Sequence, residues 1–214
     1  MGCSENRVEK GNQALRIGDY QRAVENFSQV LDKSPMNRDA RYGLALSYYA
    51  MAEEKEPVHV PTMSLWEKTA REFKILSKVD SSGSINGAYS TCLFYLAKAT
   101  AAESPGANIL PTLDKSIRLD SLNYFSYNLK ALVLKASGKL QEAKDIYIYV
   151  VTKEPRFISA YINLGNIYWD EGDVESAWDI WSLGLEQAPE NTTLQYWTKV
   201  AEESLKQQVL EGRL

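Results

Sequence analysis

"YNLKALVLKASGKLQEAKDIYIYVVTKEP" (127–155) and "YINLGNIYWDEGDVESAWDIWSLGLEQAP" (161–189) are two copies of one pattern, 34 residues apart. Laid on each other, Tyr127 meets Tyr161, Ala131 meets Gly165, Leu134 meets Tyr168 and Gly138 meets Gly172. Further along, Ala143 meets Ala177, Tyr147 meets Trp181 and Pro155 meets Pro189. Each copy carries apolar residues at helical spacing on either side of a glycine, so it reads as two helices joined by a turn. The proline that closes each copy ends its second helix. A helix pair of this kind cannot bury its apolar faces alone and needs a neighbour on each side.

The pattern extends outward from these two copies. "GNQALRIGDYQRAVENFSQVLDKSP" (11–35) repeats it with Gly11, Gly18, Ala23, Phe27 and Pro35. Ile109, Leu113 and Ser116 stand one period before Ala143, Tyr147 and Val150, and Leu93, Leu96 and Ala97 open that unit. Between these lies a fourth copy, with Leu44, Ala45 and Tyr48 in its first helix and Thr69, Phe73 and Leu76 in its second. Its extra residues fall near 53–62 and 81–89, both rich in breakers.

Leu164, Gly165, Tyr168, Ala177, Trp181 and Pro189 at this spacing resemble the tetratricopeptide repeat (TPR). The resemblance implies an all-α chain, a right-handed α-solenoid of about five helix pairs. The expected units are 4–37, 38–83, 90–123, 124–157 and 158–191, a single array over 4–191 behind a leader at 1–6. Leu194, Trp197, Ala201 and Leu205 then mark 192–214 as a capping helix.

In this family the first helices of the pairs line a groove that holds a segment of another protein. Carried over by register, that groove presents Asn12, then Tyr42, Leu46 and Tyr49, then Phe94 and Lys98. It continues through Phe125, Asn128, Leu132 and Lys135 to Ile162, Asn166 and Trp169. Such a lining suits an extended segment or an amphipathic helix with apolar anchors. The Lys and Asn set by which some relatives grip a C-terminal carboxylate is not matched, since Val8 and Gly43 stand at two of its positions. Of the tryptophans near the acids of 170–175, the register makes Trp181 core, turns Trp178 toward the cap helix and sets Trp169 in the groove. Truncating Trp169 is therefore expected to cost about 1 kcal/mol or less.

Composition narrows the function. The chain has 214 residues, 44% hydrophobic and 24% charged, with a net charge of −4 and a pI of about 5.2. Its cations are spread rather than striped, which argues against nucleic acid as a partner. Neither a metal-ligand spacing, a phosphate-binding glycine loop nor a nucleophile elbow is present, so we expect no metal, no cofactor and no enzyme. The single histidine, His59, sits in an inserted loop between Val58 and Val60. Cys3 and Cys92 are not expected to pair.

The opening Met1-Gly2-Cys3-Ser4 resembles the end of a bacterial lipobox, which makes Cys3 a lipidation candidate. On that reading the protein is an outer-membrane lipoprotein facing the periplasm and acting in envelope assembly. The native gene would then encode an apolar stretch ahead of Cys3. A cytoplasmic adaptor is the alternative if Met1 is the genuine start. A periplasmic protein with an aromatic small-ligand pocket is a second functional reading, and self-association is a further option.

Overall fold

The structure, a computed structural model, describes residues 2–56, 61–80 and 82–211, with side chains from residue 6 onward. His59 and the side chain of Cys3 lie outside the described residues. Eleven α-helices and no strand appear among the described residues, and neighbours in sequence pack as pairs. Two compact units result, 1–123 and 124–214.

The first unit contains three pairs. They are α1 (Gly2–Arg16) with α2 (Tyr20–Leu31), α3 (Arg38–Lys55) with α4 (Met63–Leu76), and α5 (Asn86–Glu103) with α6 (Leu110–Leu119). Helix α1 includes residues 2–6, read from sequence as a leader, and α5 starts four residues ahead of the expected boundary at 90. The second unit contains α7 (Tyr124–Ala136) with α8 (Leu140–Lys153), α9 (Ile158–Asp170) with α10 (Val174–Gln187), and the cap α11 (Thr192–Leu210).

Local chemistry fixes these boundaries. Asp19, Asn37, Asp173 and Asn191 each accept a hydrogen bond from the backbone N–H three residues on (2.9–3.1 Å), satisfying one free donor at the starts of α2, α3, α10 and α11. The paired turns at Gly138 and Gly172 need φ of 76° and 83°, where a side chain would strain the backbone. Helix α4 has no such cap of its own. Glu103, from the end of α5, takes that part: its Oε1 accepts from the Thr62 and Met63 amides, both at 2.8 Å.

Packing explains the small residues of the repeat. The buried ring of Phe27 occupies a slot between α1 and α3. A Cβ at Gly11 would lie 2.6 Å from it, and one at Gly43 only 2.3 Å. Trp181 uses Gly165 in the same way, at 2.2 Å. These two aromatics thus wedge where a first helix has no side chain, and that close approach buries both rings completely. One ion pair is also buried: Arg41 of α3 donates to Glu72 of α4 and to the Pro35 carbonyl. Removing either partner would leave a charge without water, a loss of about 3–5 kcal/mol.

Cys92 is free and buried in the core around Trp66 and Phe73. Burial pushes its thiol well above the usual range. Alkylation of Cys92 by iodoacetamide, followed by peptide mass, should therefore be slow in the folded protein and fast in denaturant.

Candidate interaction surface

The residues assigned to the groove lie on the first helices of the pairs, α1, α3, α5, α7 and α9. In the first unit, Asn12 is half-buried on α1. On α3, Tyr42 is 40% exposed and meets Phe73 edge-on at 6.3 Å, and Leu46 is half-buried. Tyr49 stands edge-on to Trp66 at 5.0 Å. From α5, Tyr95 stacks on that indole at 4.8 Å, and Phe94 packs edge-on to Tyr95. Lys98 pairs with Glu56 at 3.0 Å and lies 5.8 Å from the Tyr95 ring. The structure therefore gathers Tyr49, Phe94 and Lys98 around a Trp66–Tyr95 stack that the register alone does not reveal. Burial, with Glu53 beside it as charge and hydrogen-bond partner, pushes the Tyr49 hydroxyl above its ordinary range, so it stays neutral.

In the second unit, α7 presents Phe125, 62% exposed and edge-on to Phe157 at 5.3 Å, and Leu132, 38% exposed. Asn128 accepts a hydrogen bond from Asn163 at 2.9 Å, and Lys135 pairs with Asp170 at 2.8 Å. Helix α9 adds Ile162, Asn166 and Trp169, all half-buried. The ring of Trp169 lies 5.9 Å from Trp181 and 6.0 Å from Trp197 of the cap. It is thus a partner in a tryptophan cluster as much as a surface group.

One member of this face was missed in the sequence. Tyr196 stands 34 residues after Ile162 and is 61% exposed on α11. The 34-residue register reaches it, but α11 reads from sequence as a lid rather than as a lining helix. Tyr196 packs edge-on to Trp197 at 5.2 Å, so the cap continues the aromatic lining while it seals the core.

Charge separates the two units. Acids and bases balance in 1–123 at 15 each, so the net charge of −4 falls on 124–214, with 13 acids and 9 bases. Residues 157–198 hold seven acids and no lysine or arginine. Asp170 and Glu171 are paired with Lys135 and Lys144, and Asp173 caps α10. Among the described residues, no three His, Cys, Asp or Glu side chains are grouped to hold a metal ion, and no helix is long and apolar enough to cross a membrane.

Family profiles for the tetratricopeptide repeat match residues 8–52 and 158–177. No curated protein sequence matches the chain. Among solved structures, it is similar to MamA (19% identity, 87% of this chain and 92% of that one, TM-score 0.62). It is also similar to YrrB, described as a TPR protein with an unusual peptide-binding site (15% identity, 90% of each chain, TM-score 0.60). A third likeness is to the C-terminal part of a TPR repeat-containing protein from Cytophaga hutchinsonii (12% identity, 94% of this chain and 72% of that one, TM-score 0.64). At these identities the structures speak for the fold, and the two matched segments show tetratricopeptide repeats within this chain.

Proposed function

We propose that the protein is a non-enzymatic scaffold that holds a peptide segment or helix of another protein against the first helices of its repeats. The observation that carries this is the large apolar side chains kept in water on those helices, Tyr42 in the first unit and Phe125 and Leu132 in the second. Exposed rings on rigid helices offer a partner apolar area worth roughly 25 cal/mol per Å² buried, with little side-chain entropy to lose. The half-buried Asn166 amide supplies hydrogen bonds that orient a backbone. The peptide-binding site named for YrrB supports the same reading. A lipid tether at Cys3 is the finer part of this proposal and would keep the scaffold at a membrane. The mass of the N-terminal peptide from the native source, with or without acyl groups, decides it.

The test is a pull-down followed by titration of a synthetic segment of the recovered protein. Phe125→Ala and Leu132→Ala together are expected to weaken binding by about tenfold or more while leaving the melting temperature nearly unchanged. Unchanged affinity in that variant and in Tyr42→Ala would move the site off these helices.

A further inference from the structure

A second apolar groove lies away from the face just described. Trp178 of α10 and Leu205, Val209 and Leu210 of α11 line a groove of about 590 Å³, with Glu202 and Lys206 along one edge. Its origin is the length of α11. Helix α9 ends at Asp170, whose counterpart 34 residues on is Ser204, and α11 runs six residues further, to Leu210. That overhang projects about 9 Å past the end of the repeat. It carries Val209 and Leu210, 61% and 81% exposed.

The groove is bordered by negative charge. Glu175 and Asp179 flank Trp178 on the exposed side of α10, three residues before it and one after, and Glu186 continues that side two turns on. None of the three has an ion-pair partner among the described residues. Lys206 on the other edge is already bound to Glu202 at 2.6 Å. Carboxylates four residues apart on a helix, as Glu175 and Asp179 are, repel and weaken it. The field therefore stands unrelieved beside an apolar slot.

We propose that this seam docks a cationic amphipathic segment of another protein, with an aliphatic side chain beside Trp178 and Lys or Arg residues against Glu175 and Asp179. Charge chooses this occupant over the others. A second copy would bring the same carboxylates and a net charge of −4 to the contact. An anionic lipid surface would be repelled by the same rim.

The experiment uses the full chain and two labelled 14-residue helical peptides, one of Leu and Lys, the other of Leu and Glu, followed by fluorescence anisotropy. The Leu/Lys peptide is expected to bind saturably, and to weaken about tenfold as salt rises from about 50 to 300 mM. Val209→Ser, at an exposed position that spares the fold and leaves the charge unchanged, should lower its affinity about tenfold. Glu175→Gln with Asp179→Asn should lower it several-fold and flatten the salt dependence. The Phe125→Ala, Leu132→Ala protein should bind it unchanged, which keeps this result independent of the scaffold's other face. Equal binding of the Leu/Glu peptide, or wild-type affinity in Val209→Ser, overturns the proposal. So does a wild-type dimer in sedimentation that Val209→Ser dissociates, since a second copy would then fill the groove.

Discussion

Trp181→Ala is expected to destabilise the protein by about 3–5 kcal/mol, the range for removing a buried tryptophan. The ring is wholly buried, with Trp197 stacked at 5.4 Å, Trp169 at 5.9 Å and the indole N–H donated to the Ile162 carbonyl at 3.3 Å. Truncation opens a cavity that Gly165 cannot fill, because it has no side chain to lean in. The walls are other tryptophans held by their own contacts, so collapse is limited and the loss should sit high in that range. In a chain stabilised by nearest-neighbour contacts, the damage should begin at α9–α11 and leave the first unit folded. A thermal melt with hydrogen exchange checks this: protection should vanish first in 158–210 and persist in α2–α4. A loss under about 1 kcal/mol, or equal loss of protection throughout, contradicts the packing described.

Gly43→Ala should be the more surprising result, because alanine normally strengthens a helix by about 1 kcal/mol over glycine. Here the added methyl would lie 2.3–2.6 Å from three atoms of the Phe27 ring. The ring has little room to swing away, since even a Cβ at Gly11 would lie within 2.6 Å of it and none of it is exposed. Overpacking of this kind costs about 1–3 kcal/mol, and this contact lies at the severe end, so a net loss of roughly 2 kcal/mol is expected. Phe27→Leu made in the same background should recover part of it, giving a coupling of about 1 kcal/mol in a double-mutant cycle read by urea denaturation. A neutral or stabilising Gly43→Ala would mean that the glycine does not make room for the ring.

Much of this was legible in the 34-residue spacing. The register put Phe27, Tyr147 and Trp181 in the core, and all three are fully buried. It placed the start of α3 at Arg38 and named Leu194, Trp197, Ala201 and Leu205 as the apolar side of α11. Side-chain reach was less legible. Trp169 occupies a groove position by backbone register, yet its ring leans onto Trp181 and Trp197, so its truncation should cost more than the 1 kcal/mol or so that a wet ring implies. Tyr49 likewise lies over Trp66 rather than standing free. Contacts between residues far apart in sequence carry no periodic signal. The bond from the α4 amides to Glu103 and the buried Arg41–Glu72 pair are of that kind. The groove beside Trp178 depends on where α11 stops, and terminal residues obey no period.

The central claim is that partners are held by the first helices of the repeats. Site-specific photo-crosslinking tests it most directly, with a photoreactive residue placed at Tyr42, Phe125 or Leu132 and, as control, at Ile148, which is 44% exposed on α8. In the cells that make the protein, the three first-helix positions should each yield one discrete adduct of the same protein, and Ile148 none. Adducts from Ile148 alone, or equal yields from all four positions, would contradict the account.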